Sequence, residues 1–349
     1  MLKQLHLSHF RSYSSLELEL SEQVLLILGP NATGKTNILE SMYAAATGRS
    51  FRGNDEELVQ HSAPGFRIDA THDDEVITIT YQASLKRKTL QRDAVRLSRA
   101  TLLGRHPVVL FEPNDLLLLS GPPERRRRYL DLILAQTDGQ YRRELQLYKR
   151  LLRQRNALLW RNRRDPISGL DDQLFILETQ MAEPAENISQ ARVEFIRQLT
   201  LLLNEFVGRI SERSHSLAVL FTEKSSDILT RYQERRERDI LLGTTSVGPH
   251  REDWTIEFDS HPLTATASRG EVRTTLLALK LAELDYVRAH TQGGAPTLLL
   301  DDVFSELDEA RRRALIRELD SVQTIITSTD IDRRLKLPAQ TLDLTRPSS

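Results

Sequence analysis

Val24-Leu25-Leu26-Ile27-Leu28, running directly into Gly29-Pro30-Asn31-Ala32-Thr33-Gly34-Lys35-Thr36-Asn37, is the stretch that decides the fold. Five apolar residues without a polar interruption predict a strand buried on both faces of a sheet. Asn37 to Thr47 predicts a helix, because Ile38, Leu39, Met42 and Ala46 fall on one side of it. Between them Gly29 to Thr36 fits G-x-x-x-x-G-K-[ST], in the strand–loop–helix context that motif needs. Its glycines let successive N–H groups turn inward, and the positive end of the helix beginning near Gly34 adds to the attraction for a polyanion. Gly29 to Asn37 are therefore candidate nucleotide-binding residues. Lys35 is expected on the β- and γ-phosphates and Thr36 on Mg²⁺ through its hydroxyl. An ordinary glycine turn, the bland alternative, has no need of both flanking elements.

A second chemical element lies far down the chain. Thr297-Leu298-Leu299-Leu300 is an apolar strand that delivers Asp301 and Asp302 at its C-terminal end, where ligands bind in open α/β sheets. Adjacent strand residues point to opposite faces. One carboxylate, assigned to Asp301, can hold Mg²⁺; the other, Asp302, can orient or deprotonate an attacking water. The competing reading is a capped strand end before a turn, which a nearby phosphate loop makes the poorer one.

Ser268-Arg269-Gly270-Glu271 precedes a helix, Glu271 to His290, with apolar positions at Leu276, Leu277, Leu281 and Leu284. The bland reading is a capping box, in which Ser268 and Glu271 satisfy each other's N–H groups. The functional reading is a serine and a glycine at a helix N-terminus that meet the γ-phosphate held by a second subunit. Its place shortly before the acidic strand favours the second.

The remainder of the 349 residues fits around these points. Hydrophobic residues are 39% and charged residues 28%, a balance that excludes general disorder, and a net charge of −1 excludes a uniformly basic coat. Without cysteine there is no disulfide, thiolate metal site or cysteine nucleophile. Met1 to Phe10 lacks the pattern of a secretory leader, no apolar run approaches roughly 20 residues, and a cytoplasmic protein is expected. Alternation predicts a hairpin, Leu2 to Leu7 and Leu16 to Leu20, about His9-Phe10-Arg11-Ser12. Further strands are predicted at Phe66 to Ala70, Val76 to Tyr81 and Val108 to Phe111. From about Ser120 to Phe206 the pattern is helical and rich in arginine, with breaks expected at Arg164-Asp165-Pro166 and at Glu183-Pro184. Ser216 to Phe221 reads as a returning strand, Ile228 to Arg238 as a charged helix, Trp254 to Phe258 as a strand, and the tail after Leu344 as loose.

These features together resemble the RecF family of the SMC/Rad50-like ABC ATPase group, over most of the chain. The matching stretches are Leu7-Ser8-His9-Phe10-Arg11-Ser12-Tyr13, Ser50-Phe51-Arg52, Phe111-Glu112-Pro113-Asn114-Asp115-Leu116, Gly121 to Asp131, Gly248-Pro249-His250-Arg251 and Asp301 to Asp308. The resemblance implies an α/β fold: an ABC-type head, with a mixed sheet and an antiparallel subdomain, formed by residues 1–119 and 237–349, and an inserted α-helical arm at 120–236. It implies that Ser268, Arg269 and Gly270 act in trans, that Ser305 and Asp308 form a D-loop at a dimer seam, and that Arg11 approaches a phosphate. It further implies ATP and Mg²⁺ as cofactors and a weak DNA-dependent ATPase that uses ATP to switch a homodimer. Double-stranded DNA, single-strand/double-strand junctions, RecR and RecO are the implied partners, and loading of RecA onto SSB-coated strands the implied role. Two departures stand out: Glu271 replaces the usual Gln, and Thr327-Ser328-Thr329-Asp330 replaces a switch histidine.

Between Ser120 and Asp165 there are thirteen basic residues against five acidic ones. Arg142, Lys149, Arg150 and Arg153 recur at helical spacing and could follow a phosphate backbone. A solvated, salt-bridged arm explains the same charges equally well. Rival functions are a P-loop small-molecule kinase, a transporter-type subunit and another SMC-like ATPase; for a long coiled coil the insertion is too short.

Overall fold

A computed structural model describes residues 1–21, 23–211, 216–222, 227–319, 322–329 and 339–344. The chain divides into two compact units, Met1–Asp115 with Leu276–Ser349, and Leu116–Thr275.

Alternating burial in Gly65–His72, and at Leu5 and Leu7 of Leu2–Phe10, turns these leucines with Phe66, Ile68 and Ala70 to one face, and Phe10, following the left-handed His9, joins the same core. That face belongs to a six-stranded antiparallel sheet in the order Tyr13–Glu19, Leu2–Phe10, Gly65–His72, Val76–Gln82, Arg87–Arg92, Val95–Arg96. The expected hairpin is present, with Leu5 opposite Leu18 and Phe10 opposite Tyr13.

A second sheet holds five strands in the order Gln340–Asp343, Val24–Leu28, Thr324–Ser328, Thr297–Asp301, Val108–Phe111, all parallel. Parallel strands place all their C-terminal ends along one edge, and the phosphate loop and the acidic pair both open there. Helix Lys35–Thr47 lies between the sheets. Its Ile38, Leu39 and Met42 share one core with Leu5, Leu7 and Ile68 of the first sheet and Leu25, Ile27, Leu299 and Ile325 of the second. Each such side chain contributes about 1.5–3 kcal/mol by leaving water, which fixes the loop's two flanking elements rigidly.

The second unit contains helices Pro123–Thr137, Gly139–Asn162, Leu170–Ile210 and Ile228–Leu242, and a three-stranded antiparallel sheet of Leu217–Phe221, Trp254–Phe258 and His261–Pro262. One expectation is corrected here. The break at Pro184 does not occur, since Leu170–Ile210 is one helix of 41 residues with Pro184 buried inside it. A proline there removes one N–H and crowds the preceding turn, at about 3 kcal/mol. Burial of Met181, Ala185, Ile188, Phe195 and Leu199 along the same helix offsets that cost. The two compact units meet in the chain at 115/116 and 275/276. The returning strand Leu217–Phe221 pairs with Trp254–Phe258. Asp330 and the tail after Leu344 lie outside the described residues.

Candidate functional site

The phosphate loop follows Leu28 and closes on Gly34, which caps helix Lys35–Thr47 with a left-handed backbone, φ 99°. A Cβ at Gly34 would lie 2.6 Å from Tyr13 Oη and 3.0 Å from Ser12 Oγ, so the backbone angle calls for glycine and any side chain would also have to displace the Tyr13 hydroxyl. Ala32 is left-handed too, φ 68°, and Thr33 Oγ1 donates to the Pro30 carbonyl at 2.9 Å, which tightens the turn. The buried Lys35 ammonium folds back on its own loop, donating to the carbonyls of Gly29 at 2.6 Å and Pro30 at 2.8 Å. Asn37 Nδ2 donates to Ser12 Oγ at 2.9 Å and joins the loop's helix to the hairpin turn.

Strand Thr324–Ser328 lies between the loop strand and the acidic strand, and its Thr327 links the three. Thr36 Oγ1 donates to Asp301 Oδ1 at 2.8 Å, and Thr327 Oγ1 meets the same oxygen at 2.9 Å. Thr327 Oγ1 also accepts the Asp302 N–H at 2.9 Å. The site thus brings a hydroxyl oxygen and a carboxylate oxygen side by side. The donor set is the hard oxygen type Mg²⁺ selects, so the residues fit that ion. Asp302 has a left-handed backbone, φ 52°, and opens the turn Val303–Glu306, in which Ser305 Oγ donates to the Asp302 carbonyl at 2.7 Å.

The remaining candidates are placed less simply. Arg11 is held by a carboxylate: Nε and Nη2 donate to Glu40 at 2.9 and 2.8 Å, and Nη1 to the Glu57 carbonyl at 2.9 Å. Ser268 and Arg269 are exposed, and the capping box is formed, with Ser268 N–H donating to Glu271 Oε2 at 2.7 Å and Glu271 N–H to Ser268 Oγ at 3.3 Å. Glu271 is thereby oriented as a cap of helix Arg269–His290, in which Gly270 sits in the first turn. Asp308 caps helix Glu309–Leu319 through the Arg311 N–H at 3.0 Å.

On helix Gly139–Asn162, Arg142 Nη1 donates to the Ala135 carbonyl at 2.8 Å and Lys149 Nζ to Asp131 at 2.7 Å. Arg150 and Arg153 are exposed, with Arg153 Nε on the Lys149 carbonyl at 3.2 Å. Part of the expected basic stripe is thus taken up inside its own unit. Arg126, nearby in sequence, forms a two-point pair with Asp253 at 2.6 and 2.7 Å.

One participant escaped the sequence reading, Glu40, and two were quoted there without these partners: Arg52 in Ser50-Phe51-Arg52 and Thr327 in the segment that replaces a switch histidine. A carboxylate among the apolar positions of helix Lys35–Thr47 is the signal that could have found the first. Arg52 Nη2 donates both to Glu40 Oε2 at 2.7 Å and to Asn37 Oδ1 at 2.8 Å.

Comparison with known proteins places the chain in a family. Residues 1–336 match the family described as RecF/RecN/SMC N terminal domain. The DNA replication and repair protein RecF of Roseiflexus castenholzii is 36% identical over 94% of this chain and 93% of its own. That of Streptococcus uberis is 35% identical over 97% and 95%. The solved structure of the recombination mediator protein RecF-ATPrS in the RecFOR pathway superposes with a TM-score of 0.87 at 29% identity, covering 98% of this chain and 96% of that one. An Smc head domain from Pyrococcus furiosus shares the fold alone, with a TM-score of 0.54 at 17% identity. Among the described residues no helix is long and apolar enough to cross a membrane. A parallel sheet edged by a phosphate loop and an acidic strand, an antiparallel sheet beside it and a mainly helical insertion make up the expected ABC-type class, and with these matches the chain belongs to the RecF family.

Proposed function

We propose that the chain is an ATP-dependent DNA-binding protein of recombinational repair, in which ATP switches a homodimer on double-stranded DNA and hydrolysis resets it. The observation that carries this reading is the meeting of Thr36 and Asp301, 2.8 Å apart, beside a loop whose lysine has no carboxylate partner among the described residues but only loop carbonyls. An ammonium resting on its own loop can exchange those carbonyls at little cost for a β/γ-phosphate, while the loop N–H groups and the helix end take up the rest of the charge. Mg²⁺, when bound, supplies neutralisation of the phosphate charge, and Thr36 and Asp301 are the residues to hold it. Asp302, fixed by its N–H to Thr327, is proposed to take the proton of the attacking water.

The solved relatives are named for RecF with ATP and with ATPrS in the RecFOR pathway, and membership in their family supports ATP as the ligand here. On the same support we propose RecR and RecO as partners, gaps and single-strand/double-strand junctions as sites of action, and assistance to RecA loading on SSB-coated strands. Ser268, Arg269 and Gly270 are proposed to meet ATP held by the twin subunit, with Ser305 and Asp308 at the seam. The exposure of Ser268 and Arg269 at the start of Arg269–His290 supports this, and the Glu271 carboxylate is taken up there as a cap on the Ser268 N–H. Arg142, Lys149, Arg150 and Arg153 remain the proposed DNA-facing residues, with Arg150 and Arg153 foremost because they are exposed.

Sedimentation tests the switch. With ATP and duplex DNA the wild type should become dimeric, whereas Ser268→Arg should bind nucleotide and stay monomeric. A variant that dimerises as the wild type does removes the trans role.

A further inference from the structure

Glu40 is the most enclosed charged group near the phosphate loop, with no side-chain exposure, in a helix packed between two sheets. Its carboxylate accepts from Arg11 Nε and Nη2, from Arg52 Nη2 and from Ser50 Oγ. Burial pushes its acidity down, yet the bonds from Arg11, Arg52 and Ser50 more than compensate and hold it below the usual carboxylate range. Apolar residues would pack this position at least as stably as a buried ion pair, so stability alone gives no reason for the cluster. Geometry gives one. Arg11 and Arg52 keep 22% and 32% of their side chains exposed. Arg52 uses Nη2 for both Glu40 and Asn37, and its Nε and Nη1 donate to nothing among the described residues. Asn37 is the residue after Thr36, so this half-used guanidinium borders the first turn of the phosphate-loop helix. Arg11 carries a left-handed backbone, φ 53°, held by its N–H on the Leu58 carbonyl at 2.8 Å. A strained residue over-determined by its surroundings is characteristic of a built site.

We infer that Glu40 is a positioning residue: it holds Arg11, whose Nη1 also rests on the Glu57 carbonyl, and one side of Arg52, and leaves Arg52 Nε and Nη1 with the unused N–H groups of Arg11 to a phosphate of the nucleotide on the adjacent loop. This rests on the nucleotide reading proposed above. Two guanidiniums on one carboxylate keep a net positive charge, and their fixed orientation removes the ordering cost of binding. The same chemistry could receive a phosphate of DNA, so the test separates the two.

Full-length wild type, Glu40→Gln, Arg52→Ala and the double variant are titrated with a fluorescent ATP analogue, and separately with duplex DNA in the absence of nucleotide. Each single change should weaken the ATP analogue about tenfold, the worth of a charge-assisted hydrogen bond. The double variant should lose less than the product of the two, because Glu40 acts partly through Arg52. Duplex affinity without nucleotide should not move. An analogue affinity of Glu40→Gln equal to wild type, a fully multiplicative double variant, or a loss confined to DNA each overturns the inference. Should Glu40→Gln not fold, Arg52→Lys carries the test: it keeps the charge but not the two-sided geometry, so about a tenfold loss is expected and wild-type affinity overturns the inference. Wild type that takes up no ATP analogue overturns the nucleotide reading and this inference with it.

Discussion

Thr36 and Asp301 stand 265 positions apart in the chain, and their side-chain oxygens meet at 2.8 Å. One closes the phosphate loop and the other ends the acidic strand, with Thr327 bonded to the same carboxylate oxygen from the strand between them. Asp301→Asn leaves an acceptor for both hydroxyls but removes the charge. Hydrolysis should fall on the order of a hundredfold, and ATP affinity should lose its dependence on Mg²⁺. Calorimetry with and without Mg²⁺ checks this, and a variant that still gains affinity from the ion places the metal elsewhere.

The space at Gly34 gives a second prediction. Tyr13 Oη is buried, has no hydrogen-bond partner among the described residues, and lies where a Cβ on Gly34 would intrude; burial alone pushes its phenol up to about 12. Tyr13→Phe should therefore leave ATP affinity nearly unchanged. Gly34→Ala should weaken it by at least about tenfold, since the alanine meets both the clash and the left-handed backbone. Combined with Tyr13→Phe, Gly34→Ala should recover only in part, as the backbone strain remains. Full recovery would assign the whole effect to the hydroxyl.

In the helical unit Arg155 is fully buried between Glu178 and Asp239, each at 2.8 Å, and Tyr232 lies under its guanidinium at 5.6 Å. Removing the cation leaves two enclosed carboxylates with one partner fewer. Arg155→Leu should lower stability by about 3–5 kcal/mol in urea unfolding followed by far-ultraviolet dichroism. Loss of less than about 1 kcal/mol would mean that water reaches the pair and that the helices are not held by it.

These elements differ in how far they could be read from residues alone. The phosphate loop, the hairpin and the acidic strand were legible because each is specified by spacing within one short continuous stretch of the chain. Proline at 184 misled for the converse reason: its local cost is real, and tertiary burial along Leu170–Ile210 outweighs it. The pairing of strand Leu217–Phe221 with Trp254–Phe258 was hidden, because no local pattern announces it. Thr327 and Arg52 acquire meaning only through partners elsewhere in the chain. Ser268-Arg269-Gly270-Glu271 was legible as a cap, and the cap is what the structure displays.

The sheet edge at His72 predicts acid sensitivity with a defined sign. His72 and His106 stack with ring centroids 3.3 Å apart, and Glu75 accepts from Arg105 and meets His106 Nε2 at 2.7 Å. Burial first, and the neighbouring His106 second, bring His72 down to about 3, against about 6.5 for a free histidine. Its neutral form is thus favoured by folding: the contribution is fully present above pH 6.5 and is lost as pH falls toward 3. Glu75, held at about 2 chiefly by the hydrogen bond from Arg105, contributes above pH 4.5 and loses its share only below that. Between pH 6.5 and 4.5 the histidines therefore dominate the slope, which cannot exceed about 1.4 kcal/mol per pH unit for each proton involved. His72→Phe keeps a ring against His106 and cannot take the proton. Its unfolding free energy should decline less steeply than that of the wild type across this window, measured by urea titration at half-unit steps. Parallel curves for the two proteins would show that His72 is solvated and that the acid response originates elsewhere, with His250, lowered to about 4 by burial in the second unit, the next group to replace.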